Sequence, residues 1–140
     1  MKMTWMILGL SLATSSVWAV QPNWNLTPGV LCTRQDPDYS QDRYPEKIAY
    51  CKRNVSHDDK VRIAQQYGNI PESQWKNYEF DHLIPLAAGG SNDIGNIWPQ
   101  PIGEAKGKDV VEQEVFDGLN SGKMTQDQAV KKIMLWLHQH

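Results

Sequence analysis

The residue types that could do chemistry concentrate in Glu79–Pro101, EFDHLIPLAAGGSNDIGNIWPQP. Asp81 and His82 close a short apolar run, a Gly89-Gly90 turn follows, and Asn96 lies 15 positions after Asp81. A carboxylate beside an imidazole at a strand end can divide two linked tasks. Asp81 can hold a divalent cation, and His82, with an ordinary pKa of about 6.5, can take a proton from water near neutral pH. Phosphodiester hydrolysis uses both, an activated water and a cation that absorbs charge on the leaving oxygen. Each residue has a plainer reading too: a strand-end imidazole held by hydrogen bonds, a turn carboxylate bonding backbone N–H groups, an Asx turn at Asn96. Their joint spacing favours the chemical one.

Such residues act only if the surrounding elements hold them together. Tyr78–Ile84 alternates as a strand does, and Pro85 limits its extension. Gly89-Gly90-Ser91-Asn92 reads as a turn, and Asn96–Trp98 as a second short strand halted by Pro99 and Pro101. A helix is expected from about Gly103 to Asn120, with Gly122 near its end. Upstream, Ser56 and Asp59 resemble a capping box for a helix with Val61, Ile63, Ala64 and Tyr67 on one face, closed by Gly68. Thr125 and Gln128 form another box and open a last helix through Ala129, Ile133, Met134 and Leu137. Gln21–Ser40 shows neither period, and Arg43–Val55 leaves helix and strand both open.

The hairpin-then-helix order predicts an α+β fold, and at this point the chain resembles a known family. From Leu26 to the C-terminus it is similar to small secreted bacterial HNH (ββα-metal) endonucleases. The likeness lies in LTPGVLCT, in EKIAYCKRNVS, in YEFDHLIPL with its GG and NIWPQP, and in Ala105, Lys108, Asp109 and Glu112. It implies a ββα-metal core over about residues 78–121 with flanking helices, and a metal-dependent nuclease acting on DNA, with RNA as a second candidate. His82 resembles the family's general base and Asp81 its metal ligand. Asn96 resembles the middle motif residue, whose amide can pin the loop bearing His82 and orient the imidazole. Carboxylate oxygen suits Mg²⁺, and a site containing imidazole also suits Mn²⁺ or Zn²⁺.

The third position of the pattern departs from the family. Nine residues after Asn96, where many HNH proteins place a His or Asn ligand, stands Ala105, which cannot bind a metal. Positions 104, 108, 111, 115 and 119 share one helix face, and Val111, Val115 and Leu119 mark it as buried. Glu104 is therefore the expected replacement ligand and Lys108 the expected phosphate contact, against the plainer reading of a solvated i,i+4 pair. Asp109 and Glu112 read as helix-surface groups or as partners that support the ligands, rather than as ligands, and Trp75 and Trp98 as core or rim. His57, His138 and His140 read as exposed. Lys52, Arg53, Lys60 and Arg62 could follow a phosphate backbone, but such charge runs are usually solvated faces.

The first 19 residues belong to a different argument. Lys2, the apolar run Trp5–Leu12 and the small residues before Val17-Trp18-Ala19 have the layout of a secretory signal cleaved after Ala19. The run is shorter than the roughly 20 residues a membrane span needs. Cleavage leaves 121 of the 140 residues, one domain over 20–140, periplasmic or secreted and free of the membrane. Lys2 is the sole charged residue removed, so formal charge moves from −2 to −3 and a strongly basic nucleic-acid binder is excluded. Affinity for nucleic acid must then come from local basic groups. In an oxidising compartment Cys32 and Cys51 read as one structural disulfide, contributing about 3 kcal/mol. Two functions follow: a secreted nuclease, or a catalytically weakened module of the same fold that binds nucleic acid or a protein.

Overall fold

The computed structural model describes residues 21–140, so the expected signal, Met1–Ala19, lies outside the described residues. Among the described residues the architecture is α+β, with two small antiparallel hairpins, three helices, short 3₁₀ turns and one disulfide. The first hairpin pairs β1 (Tyr39–Arg43) with β2 (Ile48–Cys51), which settles the segment the sequence left open as a strand. Helix α1 (His57–Gln66) follows, opened by the expected capping box of Ser56 and Asp59 and followed by Gly68 at φ +91°. The second hairpin pairs β3 (Tyr78–His82) with β4 (Ile97–Pro101). Helix α2 (Ile102–Asn120) leaves β4 without a break, and α3 (Gln126–Gln139) starts at the Thr125–Gln128 capping box.

Strand β4 is longer than expected, and its prolines explain how. Pro99 and Pro101 were expected to halt it, yet they pair with Phe80 and Tyr78. Proline has no N–H to give, so it is tolerated where the pair exchanges no hydrogen bonds. Opposed residues alternate between bonded and non-bonded pairs. Both prolines have the same parity, which leaves Glu79↔Gln100 and Asp81↔Trp98 as the bonded pairs. The Leu83 N–H to Asn96 carbonyl bond (2.7 Å) continues that parity beyond the strands. Neither proline breaks the ladder.

The second hairpin lies between two cores, which is what separates the neighbouring residues Asp81 and His82. Successive side chains on a strand point to opposite faces. Phe80 and Ile97 pack with Ile63 and Ala64 of α1. Trp98 packs on the other side with Val111, Val115 and Leu119 of α2 and Ala129, Ile133 and Leu137 of α3. Asp81, opposite Trp98, therefore looks toward α2, while His82, opposite Ile97, looks toward the side of α1.

Between the two strands the chain makes a tight loop over Asn96. Gly90 is required there: a Cβ at this position would sit 1.8 Å from the Ile84 carbonyl oxygen and 2.8 Å from the Asn96 amide nitrogen. Gly90 also bridges to Leu31, tying the otherwise irregular N-terminal segment to the loop. Among the described residues no helix is long and apolar enough to cross a membrane.

Candidate functional site

Asp81 and His82 line a cavity of about 160 Å³ together with Arg53, Pro85, Leu86, Ala87 and Glu112. Four segments build it: the end of β3, the 3₁₀ turn that follows, the link after β2, and the middle of α2.

His82 is 2 % exposed, and both ring nitrogens have partners. Nε2 lies 2.9 Å from Asn92 Oδ1 and Nδ1 lies 3.3 Å from Arg53 Nη1. The Asn92 amide nitrogen donates to Asp38 Oδ2 (2.9 Å) and to the Lys52 carbonyl (2.7 Å), both pure acceptors. That fixes the amide's orientation and leaves its oxygen facing Nε2. Nε2 must then carry the hydrogen, and Nδ1 carries the lone pair. Burial lowers the His82 pKa; the Asn92 bond opposes this, and the Arg53 guanidinium adds to it. The imidazole is therefore neutral at pH 7, with its lone pair turned toward an arginine. Arg53 is exposed and its other terminal nitrogen donates to the Phe80 carbonyl (2.9 Å), so the guanidinium is anchored beside the cavity.

Asn96 is fully buried and pins the loop that follows His82. Its amide oxygen accepts from the N–H groups of Ile84 (3.0 Å) and Val30 (3.3 Å). Its amide nitrogen donates to the carbonyls of Ile84 (3.0 Å) and Ser91 (2.9 Å). Pinning was expected of it; orienting the imidazole was expected too, and that contact is made by Asn92 instead.

Asp81 faces Lys108. The Lys108 ammonium donates to Asp81 Oδ2 (2.5 Å), to Glu112 Oε1 (2.5 Å) and to the His82 carbonyl (2.7 Å). Lys108 is 1 % exposed, and an ammonium has three N–H donors. All three are used. Lys108 was the expected phosphate contact; here it lies on the buried face of α2 with its charge turned to partners inside the protein. Burial alone would lower its pKa, but the Asp81 and Glu112 carboxylates outweigh burial and raise it. On Glu112 burial raises the pKa and the Lys108 charge opposes it.

Glu104 stands one turn before Lys108 and is half-buried, but it does not line the cavity. The expected ligand pair of Asp81 and Glu104 is not brought together there, because the carboxylate that α2 sends to Asp81 comes from Glu112. A divalent ion fits these donors poorly. The point between Asp81 and Glu112 already holds an ammonium, and a second cation there would be repelled by it. Among the described residues, one group of three His, Cys, Asp or Glu ligand atoms lies within 4.8 Å, namely Cys32, Asp36 and Cys51. Its two sulfurs are bonded to each other, 19 residues apart in sequence, so neither is a thiolate.

The sequence did not assign their roles here to two cavity residues, Glu112 and Arg53, nor to Asn92, which holds the imidazole from outside the cavity lining. Glu112 was four residues from Lys108 on the same helix, a signal that was there to use. Arg53 was hidden in a run of basic residues, and Asn92 in the turn, where Asn is common for other reasons. Comparisons with protein-family models, curated proteins and solved structures find no match to this chain.

Proposed function

We propose that the protein hydrolyses phosphodiester bonds in nucleic acid, DNA first and RNA second, as an HNH-type (ββα) nuclease acting in an oxidising compartment outside the cytoplasm. The order β3, β4, α2 supports that reading of the fold, and the Cys32–Cys51 bridge supports the compartment. The observation that carries the function is the His82 tautomer. With Nε2–H committed to Asn92, the Nδ1 lone pair accepts from the Arg53 guanidinium beside the cavity, and it becomes free for a water when Arg53 turns to a substrate phosphate.

In this reading a phosphate oxygen of the substrate takes hydrogen bonds from Arg53, which suits a guanidinium well. A water between His82 Nδ1 and phosphorus gives its proton to Nδ1 as its oxygen bonds to phosphorus. The bond from phosphorus to the leaving oxygen breaks, and that oxygen takes a proton from solvent. The divalent metal that the resemblance implies finds no open ligand set here, so the charge on the leaving oxygen is met by that proton from solvent. Asp81 is the one expected ligand at the cavity, and the Lys108 ammonium already occupies it.

Nicking of supercoiled plasmid by the purified, oxidised protein tests the proposal. His82→Ala should lower the rate by about 10²–10⁴-fold, the usual contribution of a general base, and leave plasmid binding nearly unchanged. A variant that cuts at the parent rate shows that another group activates the water. A second reading, binding without cleavage, is favoured by one feature: the site carboxylates are already neutralised from within. Parent protein that retards plasmid yet never nicks it selects that reading.

A further inference from the structure

We infer that the Lys108 ammonium is the resident cation of this site, standing between Asp81 and Glu112 where the family pattern expects a divalent ion, and that cleavage proceeds without added metal. The inference rests on the phosphodiesterase reading for its second half and on geometry alone for its first.

Three observations lead here. The ammonium is buried with all three donors used, two on carboxylates and one on the carbonyl of the base residue itself. Lys108 and Glu112 are i,i+4 neighbours on α2, so one helix delivers both the cation and its second counter-ion. The position where the family places a ligand is Ala105, and the remaining candidate, Glu104, does not line the cavity. An ammonium is a compact point charge with no open coordination position. It can hold Asp81 and the His82 backbone in place and neutralise local charge, but it cannot take up a water or a phosphate oxygen while its three donors are occupied. Lys108 is thus a positioning residue. It fixes the strand end from which the imidazole projects, and the substrate charge is left to Arg53.

The contrast with a metal site is chemical as well as geometric. A divalent ion could enter between Asp81 and Glu112 only if the ammonium left, which strands a charged lysine in the core next to the α2–α3 packing. The chain's own cation has no such entry cost.

Metal binding and cleavage by the parent protein, freed of metal by chelation, decide the matter. Titration calorimetry and thermal melting with Mn²⁺ should show no binding that depends on Asp81, and plasmid nicking should be unchanged by EDTA. Lys108→Met keeps the length of the side chain and removes the charge. It should lower kcat by about 10²-fold with KM little changed, the scale expected for a misplaced reacting group. With the ammonium gone, Mn²⁺ should raise its melting temperature, a gain that Asp81→Asn in the same background abolishes. A purely structural lysine predicts no such gain. If Lys108→Met does not fold, the parent titration still decides. Parent protein that binds one Mn²⁺ in a manner lost in Asp81→Asn, or that stops cutting in EDTA and resumes with Mg²⁺, overturns the inference. If the parent cuts under no condition, the phosphodiesterase reading and the metal-free cleavage fall together. The Mn²⁺ titration and melting of the parent and of Lys108→Met then decide alone whether Lys108 fills the cation position.

Discussion

The two sides of the cavity are held by opposite means. On the imidazole side, hydrogen bonds run from His82 at the end of β3 through Asn92 of the β3–β4 loop to the Asp38 carboxylate and the Lys52 carbonyl, which flank the first hairpin, with no buried ion pair among them. On the carboxylate side a single buried charge, Lys108, binds Asp81, Glu112 and the His82 backbone. Part-exposed hydrogen bonds are each worth about 1 kcal/mol net, somewhat more where one group is charged, whereas removing one partner of a buried ion pair costs about 3–5 kcal/mol. The imidazole side is therefore built for orientation and the carboxylate side for stability. Damage to the two sides should separate accordingly.

The largest stability effect belongs to the carboxylate side. Lys108→Ala leaves two partly buried carboxylates without their cation and should lower unfolding free energy by about 3–5 kcal/mol in urea melts. A loss below about 1 kcal/mol would mean that water already screens the pair.

The disulfide comes next, and it joins stability to the imidazole side. Cys51 is followed directly by Lys52, whose carbonyl holds Asn92, and by Arg53, which faces Nδ1. Replacing both cysteines with serine should cost about 3 kcal/mol and also slow nicking at temperatures where the variant stays folded. Full activity in the folded, bridge-free protein would show that α1 and β3 alone hold those residues.

Asn92→Ala removes the acceptor that fixes the tautomer. Stability should fall by only about 1 kcal/mol, because one hydrogen bond network is lost at a largely polar surface. Nicking should fall about tenfold, the equivalent of about 1.4 kcal/mol in the barrier, because Nδ1 no longer holds the lone pair by necessity. If the variant loses stability as Lys108→Ala does and keeps its rate, the contrast between the two sides is mistaken.

The smallest effect is a pH slope. Folding lowers the His82 pKa, so the unfolded chain binds more protons than the native one as pH drops through about 6.5. The neutral imidazole's share of stability is complete above that value and is lost as pH falls below it. An NMR titration of His82 should show a midpoint below 6.5, and His82→Gln should flatten the part of the stability curve just under it. A midpoint at or above 6.5 would sink this assignment.

The elements around the cavity were largely legible because their signals are local. Ser56–Asp59 and Thr125–Gln128 bond within four residues of themselves, so their capping boxes are written in the chain. The buried face of α2 follows from the 3.6 period, and Lys108, Val111, Val115 and Leu119 are the residues it buries. The strand at Asp81 and His82 and the turn at Gly89-Gly90 were readable for the same reason, whereas the pinning role of Asn96, whose partners lie up to 66 residues away, came from the family resemblance. The exact reach of β4 was not, since whether a proline ends a strand depends on which pairs of the ladder exchange bonds. That parity exists only once the partner strand is in place.

The sequence by itself determined which residue types were available and which helix face met the core, because both depend on neighbours a few positions away. Only the tertiary structure decided what each charge is for. Lys108 and Asp81 are 27 residues apart, and Arg53 and His82 are 29 apart. Nothing in a local pattern says whether a lysine on a buried face will extend past the core to solvent or turn inward to a carboxylate. The Asp81 carboxylate and His82 carbonyl at the end of β3, with the Glu112 carboxylate on its own helix, turned it inward, since a buried ammonium is stable only where all its donors find oxygen.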